Sequence, residues 1–373
     1  MAKKPSPEFL LVVGLIAIAG YLGLWPVPIT PVPWDAPADA GLVAPFAPND
    51  RLADVDTIDL GRFAGPEDVA VGPDGFVYAS TENGSIVRTS ADGRTVSEFA
   101  ATGGRPLGIE FDRAGNLWVA NAMLGLQRIS PDGRTDTLFD EFGGDPIVYA
   151  NDLAVATDGK IYLTESSTKF GAADWGGTFA ASVLDILEHS GKGRLYEYDP
   201  DTDSVRLMLV GINFANGVAI SPDQRYLLLA ETANYRIWRY WLTGATAGSV
   251  EVIIDNLPGF PDNINAGLDG RYWVGLVAPR NALVDRMADT PFLRSVVQRL
   301  PAFARPTAEP SSHLIAIDGA GSVIMNLQDT AAGFPMITGA FEGDDGLYLS
   351  SLRGHRIAVV PADSPALSPA APR

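Results

Sequence analysis

The chain has 373 residues with 39 Gly, 28 Pro and no Cys, and a formal charge of −18 at pH 7. That length allows two ordinary domains or one large repeat-built one, and the composition suits a turn-rich β protein better than a helical one. The acidity argues against a nucleic-acid partner, whose phosphates call for Lys and Arg. The lack of Cys removes disulfides, thiol nucleophiles and thiolate metal sites.

Lys3 and Lys4 precede Phe9–Trp25, a run of 17 residues without a charge. A bilayer core needs about 20 apolar residues, with about 17 as the lower limit. Lysines before the run and none soon after it predict a single-pass anchor, with residues 1–25 as cytoplasmic tip and membrane helix and the bulk on the extracytoplasmic side. The competing reading is a cleaved signal peptide, because Ala17-Ile18-Ala19 has the small-x-small form. Residues 26–54 carry Pro26, Pro28, Pro31, Pro33, Pro37, Pro45 and Pro48 and read as an extended linker that holds the globular part off the membrane.

From about Val55 the chain repeats itself. Related units begin at Glu67, Leu107, Asn151, Asn216, Asp262 and Ile337, each a short alternating strand, an Asp/Gly turn, an aromatic-rich strand and a third strand. Six such units predict an all-β, six-bladed β-propeller over 55–362, a fold that hides sheet edges by radial closure. Val55–Leu60 is expected to supply an outer strand to the last blade. Residues 363–373 read as a disordered tail. Two units are stretched, one by a helical run at Ala180–Glu188. The other carries an amphipathic pattern through Leu283, Met287, Phe292, Leu293, Val296, Val297 and Leu300. These insertions read equally as covers for apolar surface or as a substrate lid.

The repeats place oxygen-bearing side chains at one register, where each innermost strand starts: Glu67, Asn151, Asn216, Asp262 and Asn263. Carboxylate and amide oxygens without Cys or His form a hard donor set, suited to Ca2+ with its six to eight oxygen ligands. One such residue would merely make a turn; four blades in register point to a metal. Asp68 and Asp152 follow two of these residues, and could hold a second ion deeper in the channel or make hydrogen bonds between blades. His189, His313 and His355 lie off the register and read as ordinary structure. No Gly-x-Ser-x-Gly elbow, His-Glu-x-x-His motif or phosphate-binding glycine loop occurs.

The runs Phe214–Asp223, Ala230–Leu242 and Leu257–Ile264, with Arg105–Gly108, Asn151–Leu153 and Thr164–Ser167, resemble the strictosidine synthase-like proteins. That family includes the adipocyte plasma membrane-associated proteins, which carry an N-terminal anchor. The resemblance covers roughly residues 55–360. It extends to a wider superfamily of gluconolactonases and paraoxonases, six-bladed propellers that hydrolyse lactones and esters at a channel calcium. It implies that Glu67, Asn151, Asn216, Asp262 and Asn263 bind the catalytic ion. It further implies that Asp68 and Asp152, with the carbonyl of Ile109, bind a structural ion, and that Asp262 acts as general base. Two departures stand out. The paraoxonase histidine pair would fall near Leu107 and Ala122, and the synthase glutamate would fall in Gly333–Ala340, which has no acid. The resulting expectation is a calcium-dependent hydrolase of a small-molecule lactone or ester, with a non-catalytic ligand- or protein-binding propeller as the alternative. Pictet–Spengler condensation is disfavoured, and the sequence is silent on oligomeric state.

Overall fold

The computed structural model describes residues 5–368. Six four-stranded antiparallel sheets form the propeller. The innermost strands, in chain order, are Val69–Val71, Pro106–Phe111, Ala150–Val155, Ala215–Ile220, Gly259–Ala266 and Ile337–Gly343. These lead blades 1 to 6. The ring closes as expected from the sequence: Asp56–Asp59 pairs with Arg356–Val359 and supplies the outer strand of blade 6.

The hairpin turns follow from local chemistry. In blade 2, Asp112 Oδ1 accepts from the N–H groups of Ala114 and Asn116 at 2.9 and 2.8 Å, and Gly115 takes φ +83° to close the turn. Neighbouring blades pack through buried apolar layers such as Trp118, Leu163, Tyr196 and Tyr198.

Close approach at the axis depends on missing side chains. A Cβ on Gly217 would lie 2.1 Å from the backbone N of Ile264 in the next blade, and one on Gly108 would lie 2.1 Å from Asp152 Oδ1. Glycine alone fits where two backbones meet this closely.

The insertions are helical. α1 (Pro7–Leu24) is the apolar N-terminal helix, with Ser6 as N-cap, and none of its residues is buried by the rest of the chain. By length and composition it can cross a membrane. α2 (Thr178–Glu188) covers the expected helical run. The second pattern, read as one amphipathic helix, is broken in two, α3 (Ala282–Arg286) and α4 (Pro291–Arg299). Pro291 cannot donate to a continuing helix, but suits the first turn of a new one.

Residues 26–54 are extended, as expected, but they do not stand clear of the body. The N–H groups of Thr30, Val32 and Trp34 donate to Glu188 Oε2, Glu188 O and Ala288 O, at 2.8, 2.8 and 3.0 Å. Pro31 and Pro33 between them have no N–H to satisfy, so the outward edge of the strap carries no orphaned donor. Ile29 and Leu52 are buried, and Arg280 and Gln328 donate to the carbonyls of Pro37 and Phe46. The segment is a strap laid over α2 and α3 rather than a spacer. Of the expected disordered tail, 363–368 instead forms a short turn whose Ala366 and Ser368 carbonyls accept from Arg51. Lys3, Lys4 and residues 369–373 lie outside the described residues.

Gly217→Ala should lower stability to urea by about 1–3 kcal/mol, because the new methyl meets backbone that cannot rotate away. An unchanged unfolding midpoint would show that blades 4 and 5 have room to separate.

Candidate metal centre at the channel mouth

The site residues of blades 3, 4 and 5 sit in β-bulges, and Glu67 directly precedes the innermost strand of blade 1. In blade 3 the ladder pairs Ala150 with Glu165 and resumes at Leu153 with Leu163, so Asn151 and Asp152 together face Thr164. Residues 107–108, 216–217, 262–263 and 338–339 are offset in the same way in blades 2, 4, 5 and 6. A bulge releases two residues from the ladder and turns their side chains, here toward the axis. Gly65, Phe214 and Met336, two residues before the site position in blades 1, 4 and 6, hold positive φ of 57°, 61° and 59°. This left-handed step is disfavoured for Phe and Met, so packing at the mouth holds the backbone in place.

The structure links Glu67, Asn151, Asn216, Asp262 and Asn263 through one network. Asn151 Nδ2 donates to Ser166 Oγ at 2.7 Å, and Ser166 donates to the carbonyl of Ala215, beside Asn216. Asn216 Nδ2 donates to Asp262 Oδ1 at 2.5 Å and to Thr232 Oγ1 at 3.1 Å. Asn263 Nδ2 donates to Glu67 O and Oε1, at 3.1 and 3.3 Å. Every amide thus uses its N–H side on a neighbour, Ser166 for Asn151, Thr232 and Asp262 for Asn216, and Glu67 for Asn263. The oxygens left over, Glu67 Oε2, Asn151 Oδ1, Asn216 Oδ1 and Asn263 Oδ1, are buried with no hydrogen-bond partner.

Four orphaned oxygens contributed by four blades are costly unless a cation takes them up. Burial, reinforced by Asp262 and Asp68, holds the Glu67 carboxyl well above the usual range, and Arg105 partly offsets this. Burial also pushes Asp262 up to about 7, opposed by the bond from Asn216. Among the described residues no three His, Cys, Asp or Glu side chains cluster as a metal site. The set here has two carboxylates and three amides, a hard all-oxygen combination that fits calcium and not zinc.

Asp68 and Asp152 point elsewhere. Asp68 Oδ2 accepts from Ile109 N–H of blade 2, and Asp152 Oδ2 from Val218 N–H of blade 4, at 2.9 and 2.8 Å. Their Oδ1 atoms accept from Val69 and Leu153. This is the blade-to-blade bonding read from the sequence as the alternative to a second ion. Ile109 meets Asp68 through its N–H.

The three histidines are structural. His189 ends α2 in a left-handed conformation, stacks on Trp34 at 4.1 Å and bonds Asn234. His313 Nε2 lies 3.0 Å from Asn326 Oδ1, and His355 Nδ1 lies 3.3 Å from the carbonyl of Phe63. Leu107 and Ala122, where a histidine pair would fall, join an apolar cluster with Ile29, Tyr149, Phe214 and Val284.

Two residues of the channel carry no mention in the sequence reading of the site. Arg105 is buried, donates to Gly65 O at 3.0 Å and leaves Nη1 without a partner. Glu110, in the strand Pro106–Phe111, accepts from Val155 N–H of blade 3 at 3.0 Å. Desolvation by the surrounding blades pushes its carboxyl up to about 8. The signal was present: a Glu inside the apolar run Leu107–Phe111.

An acid whose folded pKa is raised binds more protons in the native state than in the unfolded one. Its effect is therefore a loss of stability as pH rises from its ordinary value through its raised one. With chelator present, the chain should lose stability between about pH 4.5 and 8. Glu110→Gln should flatten the upper part of that decline, between neutral pH and mildly alkaline pH. Denaturant midpoints measured across this range decide it. Parallel curves for the two proteins would place the Glu110 carboxyl in ordinary water.

Residues 151–245 match the family model for strictosidine synthase, and 44–89 match that for the strictosidine synthase-like N-terminal region. The adipocyte plasma membrane-associated protein of Bos taurus is 31% identical over 91% of this chain and 86% of its own length. Strictosidine synthase-like protein 6 of Arabidopsis thaliana is 34% identical over 82% of this chain and 81% of its own. A gluconolactonase of known structure from Xanthomonas campestris shares the fold with TM-score 0.59 at 18% identity, over 90% of this chain and 98% of that one. With a bulge-built propeller mouth, matching family models and relatives aligned along most of their length, the chain belongs to the strictosidine synthase-like family, which includes the adipocyte plasma membrane-associated proteins.

Proposed function

We propose that the chain is a calcium-dependent hydrolase of small lactones or esters, with one ion held by Glu67, Asn151, Asn216, Asp262 and Asn263. The observation that carries this reading is the set of four buried oxygens without partners at the channel mouth. Bound calcium would supply Lewis acidity toward the substrate carbonyl and charge against the developing oxyanion. The residues contribute orientation. Asn216 fixes Asp262 through the 2.5 Å bond, and Thr232 Oγ1 in turn donates to the carbonyl of Pro261 at 2.7 Å. The bond from Asn216 leaves the Asp262 carboxylate oriented as the candidate general base toward an attacking water. Blade 6 presents Thr338 at the register, donating to Glu67 O at 2.6 Å, so no acid stands there for a condensation of the synthase type.

One observation admits the alternative, a propeller that binds a ligand or protein without turnover. Ile29, Leu107, Tyr149, Phe214 and Val284 form a buried apolar cluster that includes the residues two before Asn151 and Asn216, surroundings as suited to holding a ligand as to turning one over. Fold alone does not choose between the two.

A ligand that binds only the native state stabilises it in proportion to the logarithm of its concentration. Calcium should therefore raise the melting temperature of the wild type, by less in Asn216→Ala and least in Asp262→Ala, and chelator should reverse it. A melting curve indifferent to calcium and chelator sinks the metal reading. Calcium-dependent melting without turnover of any lactone or aryl ester assigns the binding role instead.

We read α1 as a single-pass anchor with the propeller on the extracytoplasmic side; lipid is then a partner of the full chain and nucleic acid is not. Full-length protein should stay with membranes through high-salt extraction, since burial of Phe9–Trp25 is apolar. A mature N-terminus at Gly20 would replace the anchor with a cleaved signal.

A further inference from the structure

The strap fixes how near the propeller lies to whatever α1 enters. Leu24 ends the helix, and Ile29 is already buried with Leu107, Tyr149 and Phe214 at the channel mouth. Five residues of extended chain span at most about 18 Å. The last turn of α1 is also tied to the end of α4. Tyr21 Oη donates to Arg299 O at 3.1 Å, and Arg299 donates to the carbonyls of Leu22 and Trp25 at 2.9 and 2.6 Å. These carbonyls belong to a helix end that has no intrahelical donors left for them.

Tyr21 and Trp25 are both exposed at this junction. Aromatic side chains with one polar atom collect where hydrocarbon meets headgroups. Their position sets the level of a bilayer boundary at the end of α4. Phe303, in the turn after α4, is 92% exposed, and Phe292 and Leu293 in the first turn of α4 are 58% and 44% exposed; nothing among the described residues covers them. The charge differs from the rest of the molecule too. Residues 280–305 hold five arginines against two aspartates, within a chain of net charge −18. Arg280 pairs with Asp285 and Arg294 is buried, which leaves Arg286, Arg299 and Arg305 nearer the surface.

We propose that this face is a lipid-docking surface: Phe303, Phe292 and Leu293 enter the headgroup–acyl boundary, and the channel mouth is turned toward the bilayer. The proposal rests on the reading of α1 as an anchor. Apolar side chains flanked by arginines suit such a boundary, where burial of area and attraction to anionic lipid act together.

The absence of Cys makes a single introduced thiol the sole labelling site. Full-length Phe303→Cys, Phe292→Cys, Val12→Cys and Asp158→Cys, each carrying a polarity-sensitive fluorophore, would be reconstituted in phosphatidylcholine–phosphatidylglycerol vesicles with nitroxide-labelled lipid as quencher. Asp158 lies in an exposed turn at the opposite end of the innermost strand of blade 3 from Asn151 and the channel mouth. Expected are blue-shifted, lipid-quenched emission at positions 303, 292 and 12, and water-like, unquenched emission at 158. Quenching at 12 with 303 and 292 behaving like 158 would overturn the docking surface and leave the anchor standing. No quenching at 12 would remove the anchor and the proposal with it. A blue shift at 303 that vanishes on dilution and is never lipid-quenched would assign the face to a second copy of this chain.

Discussion

The buried oxygens at the propeller axis are the constraint on which the rest of the structure depends. Glu67, Asn151, Asn216, Asp262 and Asn263 come from four blades; bulges free the four in blades 3, 4 and 5 from their ladders, and Glu67 stands just ahead of its strand. The amide nitrogens of Asn151 and Asn216 and the neighbouring backbone carbonyls are fixed by Ser166, Thr232 and Thr338. The scaffold is therefore well satisfied while the centre is not. Low local dielectric makes such an imbalance expensive. Asp68 and Asp152, one residue on, reach across to the next blade and stitch the ring just below. Two layers of acids thus divide the labour: the upper layer faces the mouth, and the lower one holds blades together.

Much of this was legible in the sequence because the physics is local and repeated. Strand, Asp/Gly turn and aromatic strand recur with fixed spacing, so blade number and the closing role of Asp56–Asp59 followed from pattern alone. The site register was legible for the same reason, since the same residue types recur where the innermost strands start. The role of Asp68 and Asp152 was not, because a carboxylate that bonds a neighbouring blade and one that binds metal have the same sequence. Residues 26–54 misled as a spacer: proline content reports extended backbone, whereas the partners of Thr30, Val32 and Trp34 are far away in the chain. Arg105 and Glu110 were passed over because each stands alone among apolar neighbours, with no repeat to single it out.

The apolar cluster beside the mouth is built largely by parts outside the repeats. α2, α3 and the strap meet over Leu107, Tyr149 and Phe214, and Arg294 joins them by donating to Leu187 O and Ala288 O at 3.0 and 3.1 Å. Tyr149 and Phe214 pack edge to face at 5.4 Å. Opening this layer requires separating the strap from both insertions, which are bonded to one another through backbone carbonyls. The oxygens at the axis and the apolar cover beside them are thus encoded in different stretches of chain, and can vary independently.

The closing strand has a consequence for biogenesis. Asp56 pairs with Val359, so blade 6 is assembled from the two ends of the globular region. Entropy of joining such distant segments rises only slowly with their separation, but their encounter is late in time. During synthesis, blades 1 to 5 can stack as they emerge, while Asp56–Asp59 waits as an unpaired edge until Arg356–Pro361 leaves the ribosome. A chain interrupted before that point leaves Asp56–Asp59 as an unpaired strand and exposes the apolar faces of the blades at both ends of a partial ring, surfaces prone to aggregation. Completeness of the polypeptide is therefore checked mechanically, by whether the circle can shut.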